Sequence, residues 1–232
     1  MDLHAQALTV RRGGKEVLKN IDLTLPEGLC YLAGSNGSGK TTLLHTLCGL
    51  LPYHGNLTIG GQAISHLTTL QLAKTVSLVS QFTHIPFSLS VTSFILMGRF
   101  PYLPKWGSYS DADMKMARNA MKEMGLREFA DRNVKELSGG EFQRVSIARA
   151  ICQDTPILLL DEPDQSLDPR GREFLYGYLA SKAKNKTILC STHDLEPMTQ
   201  SNVRTIGLHK GKIVWDQQGG TRSEMMEQIF PA

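Results

Sequence analysis

Short apolar runs separated by glycine and proline turns dominate the hydrophobic pattern of the chain. Ala5 to Val10 and Val17 to Leu25 have strand composition and are split by Gly13-Gly14, which predicts a hairpin. Leu29-Cys30-Tyr31-Leu32-Ala33 is almost wholly apolar and reads as a strand buried on both faces. Further strands are predicted at Asn56 to Ile59, Thr75 to Ser80, Ile157 to Leu160 and Thr187 to Cys190. Val203 to Leu208 and Lys212 to Trp215 read as a hairpin around Lys210-Gly211, and Leu67 to Lys74 as a short helix. From Phe82 to about Asn133 the texture changes. Val91, Phe94, Ile95 and Met97-Gly98, then Met114, Ala117, Met121 and Met124, recur at helical spacing, with Ser110-Asp111 as a cap. The methionines read as core filling. Alternating strands and helices predict an α/β fold with a mainly parallel sheet, an antiparallel part near the chain ends and an inserted helical subdomain.

Composition narrows this picture without changing it. A chain of 232 residues, 41% hydrophobic and 20% charged, is an ordinary globular protein of one large domain or a domain with a subdomain. A net charge of +3 with no basic stripe argues against nucleic acid as a partner. No apolar run reaches bilayer length, and Met1-Asp2-Leu3-His4 is not a secretory start. Cys30, Cys48, Cys152 and Cys190 are scattered singly in apolar surroundings, which predicts buried thiols in a reducing compartment.

The candidate chemistry begins directly after the Leu29–Ala33 strand. Gly34-Ser35-Asn36-Gly37-Ser38-Gly39-Lys40-Thr41-Thr42 fits the phosphate-loop pattern. Its glycines let backbone N–H groups close on an anion, Lys40 suits the β- and γ-phosphates, and the Thr41 hydroxyl suits Mg²⁺. A helix through Leu43 to Leu47 would put its positive end at the phosphates. The Ile157–Leu160 strand ends in Asp161-Glu162. Ligands collect at the carboxyl ends of parallel strands, so Asp161 suits Mg²⁺ and Glu162 a base that orients water. Leu137-Ser138-Gly139-Gly140-Glu141 is a second glycine-backed helix start.

With that last string, the chain resembles the ATP-binding cassette (ABC) ATPases over essentially its whole length, with the motifs in the family's order. The resemblance implies a P-loop NTPase fold with one cassette domain. Residues 1–81 and 155–232 would form the core with its antiparallel part, and about 82–154 the helical subdomain. It also implies that Gln81 contacts Mg²⁺, that Ser166-Leu167-Asp168 is the D-loop, and that His193 of Ser191-Thr192-His193-Asp194 is the switch histidine. Two copies would pair head to tail, Ser138, Gly139, Gly140 and Glu141 of one closing over ATP and Mg²⁺ held by the other. His4, His45, His54, His66, His84 and His209 have no such context.

The chain departs from the family at two places. Arg12 stands where an aromatic residue usually stacks on adenine, and its planar guanidinium is expected to stack there instead. Asp164-Gln165 replaces small hydroxyl residues, which adds a charge expected near the dimer seam. The stretches Gln81 to Phe87 and Met97 to Leu103, with Trp106-Gly107, are rich in aromatics and prolines and suit a groove for a short helix of a membrane partner. The second stretch is similar to ATPases of metal-chelate importers, which implies an iron–siderophore, haem or cobalamin as cargo. That implies a peripheral subunit at the cytoplasmic face of the membrane, working with integral permease subunits and indirectly with a substrate-binding protein. The alternatives are an assembly-factor ATPase, as in iron–sulfur cluster assembly, and an exporter subunit.

Overall fold

The computed structural model describes residues 1–81, 85 and 87–231. Phe82, Thr83, His84 and Pro86, part of the expected groove, lie outside the described residues. Two sheets carry the fold. β1 (Leu3–Arg12), β2 (Lys15–Leu25), β4 (His54–Ile59) and β5 (Gln62–Ala63) form an antiparallel sheet in the order β2-β1-β4-β5. β3 (Gly28–Ala33), β6 (Val76–Val79), β7 (Ile157–Leu160), β8 (Thr187–Ser191), β9 (Arg204–His209) and β10 (Lys212–Gln218) form the other, in the order β10-β9-β3-β8-β7-β6. In this second sheet β9, β3, β8, β7 and β6 run parallel, and only the edge strand β10 is antiparallel.

The continuous apolar runs have a simple cause: both faces of this sheet are covered. Cys30, Leu32, Ile157, Leu159 and Leu189 point to one side, where they meet the antiparallel sheet and Leu43, Leu44 and Leu47 of α1 (Lys40–Leu47). Tyr31, Ala33, Leu158, Leu160, Ile188 and Cys190 alternate to the other side. There they meet α3 (Val91–Leu96), α4 (Asp111–Glu123), α5 (Gly139–Gln153) and α6 (Pro169–Lys182). The helical region therefore shares one core with the sheet. α2 (Thr69–Ala73) is shorter than the Leu67–Lys74 reading because Thr68 and Gln71 close a capping box, and a 3-10 turn precedes it at Ile64–His66. β5 and the last helix, α7 (Arg222–Ile229), go beyond the elements read from the pattern.

Of the four cysteines, Cys30, Cys152 and Cys190 are buried and Cys48 partly so, all as free thiols. Burial pushes the Cys30, Cys48 and Cys152 thiols up to about 12. Met121 and Met124 fill the core, but Met97 is exposed. It lies in a 3-10 segment, Met97–Tyr102, that turns back across α5. The turn is close enough that a Cβ on Gly98 would lie 2.3 Å from the Arg149 carbonyl oxygen. Arg99 holds the segment, donating to Asp113 Oδ1 at 2.9 Å and to the Cys152 carbonyl at 3.1 Å, with Tyr102 stacked 3.8 Å from the guanidinium. Phe87, Phe100 and Trp106 project outward, 71%, 70% and 94% exposed, so they do not pack into the core.

Candidate functional site

Adjacent parallel strands put four separate strings at one edge of the sheet. β3 runs into Gly34, β6 toward Gln81, β7 into Asp161-Glu162, and β8 into Ser191-Thr192-His193. Between them lies a cleft of ≈ 220 Å³ walled by Ser35, Gly37, Lys40, Thr41, Gln81 and Glu162. Asn36, Gly39 and Thr42 also line it, and Gly34 lies against Ser38 and the Leu208 carbonyl. Gly39 caps α1 at φ 113°, a left-handed conformation that turns the loop into the helix start, and its Cα faces Leu18 too closely for a Cβ. Lys40 is 5% exposed. Its Nζ donates to the Gly34 carbonyl at 2.8 Å and lies 3.4 Å from Glu162 Oε1, so the ammonium stands at the mouth of the loop.

Glu162 is the centre of the site. Its carboxylate is 8% exposed; Oε1 lies 2.8 Å from His193 Nε2 and Oε2 accepts from Gln81 Nε2 at 2.8 Å. The backbone at Glu162 is left-handed, φ 48°, and its N–H donates to Ser191 Oγ at 2.8 Å. The same Ser191 hydroxyl donates to Asp161 Oδ1 at 2.9 Å. Asp161 Oδ2 is buried with no hydrogen-bond partner among the described residues. An unsatisfied buried carboxylate oxygen is costly, and its remedy is a cation or a cation's water. Ser191 is a site residue that the sequence reading passed over, although it opens the string that contains His193.

Ser138, Gly139, Gly140 and Glu141 are elsewhere. Ser138 caps α5: its Oγ accepts from Glu141 N at 3.3 Å while Glu141 Oε2 accepts from Ser138 N at 2.8 Å. The Ser138 N–H, with the Ser138 hydroxyl that donates to the same Oε2 at 2.8 Å, holds the Glu141 carboxyl below its usual range. The helix start packs on Ser166-Leu167, where a Cβ on Gly140 would lie 3.0 Å from the Ser166 carbonyl oxygen. Asp168 caps α6, accepting from Gly171 N at 2.7 Å. Together they border a second cleft of ≈ 680 Å³ that shares no wall residue with the first. Within one chain the two glycine-backed helix starts do not meet.

Arg12 is also apart from the phosphate cleft. It is exposed near the tip of the β1–β2 hairpin, opposite Lys15 in the ladder, whereas Val17 forms part of the cleft wall. Asp164 lies inside the chain, 7% exposed, accepting from Thr192 Oγ1 and from the Tyr176 hydroxyl. Its charge is therefore not presented as an exposed feature of a seam.

A phosphate loop, a carboxylate pair after a parallel strand and a histidine just beyond the neighbouring strand define an ATP-hydrolysing cassette. The chain belongs to the ABC transporter family, whose profile matches residues 18–165. It is 33% identical over 237 residues to the iron(3+)-hydroxamate import ATP-binding protein FhuC of Bacillus subtilis (strain 168), covering 98% of this chain and 87% of that protein. It is also 33% identical to the ferric enterobactin transport ATP-binding protein FepC of Escherichia coli (strain K12), covering 98% and 86%. Among solved structures, a dimeric post-hydrolysis ATP-binding cassette bound to ADP and Pi superimposes with a TM-score of 0.82 at 27% identity, covering 94% of this chain and 99% of that one. The protein is thus an ATP hydrolase of the ABC family. No helix among the described residues is long and apolar enough to cross a membrane.

Proposed function

We propose that this chain is the ATPase subunit of an importer for iron chelates or a related metal chelate such as cobalamin, acting as a head-to-tail dimer at the cytoplasmic face of a membrane. Permease subunits would take up the work, and a binding protein would hand them the cargo. The observation that carries the ATPase half is the buried Glu162 carboxylate held between Gln81, His193 and Lys40. The import half rests on the names of the relatives and on the exposed Phe87, Phe100 and Trp106 beside a rigid turn, a surface suited to a short partner helix.

In this reading Lys40 and the backbone N–H groups of Gly37 and Gly39 bind the phosphates of ATP. One lysine at ~4 Å contributes only about 4 kcal/mol at an effective dielectric near 20, too little to stabilise a triphosphate and its transition state alone. A second helix N-terminus, Ser138 to Gly140 of another copy, supplies further donors and excludes water. The separation of the two clefts supports this division of labour. Mg²⁺, when bound, neutralises phosphate charge; Asp161 and Thr41 would hold it, with Gln81 beside them. A lone carboxylate plus a hydroxyl suits Mg²⁺, which takes most of its other ligands from phosphates and water. Glu162 orients the attacking water and accepts its proton; His193 keeps that carboxylate aimed. Asp168 steadies the loop beside Ser138 to Gly140, and Arg12 stacks on the base.

The test is Glu162→Gln. Turnover should fall about 10²–10⁴-fold, the range for loss of acid–base help, and ATP should then trap a dimer on gel filtration. Normal hydrolysis by this variant would remove Glu162 from the role. Recovery of the wild-type chain with soluble assembly partners, and not with a polytopic membrane protein, would overturn the importer reading.

A further inference from the structure

Asp164 lies two residues after Glu162, at a position where the family pattern carries small hydroxyl side chains, and it is buried. One of its oxygens, Oδ2, accepts from two O–H donors: the Tyr176 hydroxyl of α6 at 2.8 Å and Thr192 Oγ1. Thr192 is fully buried and immediately precedes His193. Its Oγ1 also accepts the Asp194 N–H at 2.9 Å, and its own N–H donates to the Leu32 carbonyl, 3.3 Å away at the end of β3. Tyr176 is anchored in turn, its ring edge-on to Tyr31 of β3 with centroids 5.9 Å apart. Burial, with the Asp164 charge adding to it, holds the Tyr176 phenol up, so it stays a donor.

The proton count explains why a carboxylate is needed. Thr192 and Tyr176 have one O–H proton each, and both are spent on Asp164. A carboxylate accepts two such bonds at full strength, whereas a short hydroxyl at 164 would offer a weaker acceptor and bring a third proton to place. The carboxylate therefore bolts three pieces together: the loop carrying Glu162, the loop carrying His193, and α6.

We propose that Asp164 is a positioning residue for hydrolysis, holding the His193 loop against the Glu162 loop and so setting the 2.8 Å contact between His193 Nε2 and Glu162 Oε1. This rests on the roles assigned to Glu162 and His193 above. Single-turnover ATP hydrolysis by the full-length chain tests it, because a slow background is still read. Asp164→Ala should lower the rate about 10-fold with nucleotide affinity within twofold of wild type, the size expected for losing a charge-assisted bond. Asp164→Asn, whose amide oxygen still accepts but lacks the charge and brings two N–H protons, should recover only part of that loss, and Tyr176→Phe should cost about threefold. In a His193→Ala background, neither Asp164→Ala nor Tyr176→Phe should slow the reaction further, since the group they position is gone.

Equal losses in both backgrounds would overturn the inference, because a merely structural defect adds to any other lesion. Wild-type rates in Asp164→Ala or, should that variant not fold, in Tyr176→Phe would overturn it too. Wild-type turnover in His193→Ala alone is a different failure: it would remove His193 from the reaction and take this inference with it.

Discussion

Asp113 offers a direct check on how the Met97–Tyr102 turn is held. Its side chain is 12% exposed and receives bonds from the Ser110 hydroxyl at 2.7 Å, Arg99 Nε at 2.9 Å and the Ser110 N–H at 2.9 Å. These bonds, the Ser110 hydroxyl foremost, hold its carboxyl down at about 2 against a usual 3.8. A depressed carboxyl stabilises the fold above its unfolded pKa, and that stabilisation is lost as pH falls through the folded value. At 1.36 kcal/mol per unit, less what solvent screening removes, the ionised group contributes at most about 2 kcal/mol at pH 7 and about half of that at pH 3. The assay compares urea unfolding of wild type and Asp113→Asn between pH 7 and pH 3, where all other titrating groups cancel in the difference. The wild-type advantage should narrow by about 1 kcal/mol over that interval. An advantage that is constant with pH, or that grows on acidification, would refute the reasoning.

Other expectations follow from the same geometry. Gly98→Ala places a methyl group against the Arg149 carbonyl and should cost about 1–3 kcal/mol, lowering the thermal midpoint by several degrees; an unchanged midpoint would show that the turn can yield. Phe100→Ala and Trp106→Ala remove exposed rings, so stability should stay within about 0.5 kcal/mol while copurification with a membrane partner is lost. Arg12→Ala should weaken ATP binding by about 0.5–1 kcal/mol if the guanidinium stacks on the base, and unchanged affinity and base selectivity would contradict that role.

Much of the site was readable because its parts are local. A glycine loop that must admit an anion, a strand that must be apolar on both faces and a helix start that needs a capping side chain each impose a short pattern. Gly34 to Thr42, Ile157 to Glu162 and Ser138 to Glu141 therefore stand out in one dimension. Contacts between strings are different. Nothing in the spacing joins Gln81, Glu162 and His193 at one carboxylate, or makes Ser191 the bridge between Asp161 and the Glu162 backbone. Asp164 was legible as an anomaly but not as a buried acceptor, since its partners Tyr176 and Thr192 are 12 and 28 residues away.

By itself, then, the amino-acid order determined the elements and the type of chemistry, because alternation, helical period and turn residues act over a few neighbours. Strand order was settled only in three dimensions. β8 sits between β3 and β7, though more than 150 residues separate Leu32 from its ladder partner Ser191. That choice depends on covering both faces of the sheet at once, and it is what carries His193 to Glu162. The outward set of Phe100 and Trp106 has the same origin: Arg99 and Gly98 anchor the turn to α4 and α5, Pro101 is buried, Tyr102 stacks on Arg99, and Phe100 and Trp106 are left facing solvent.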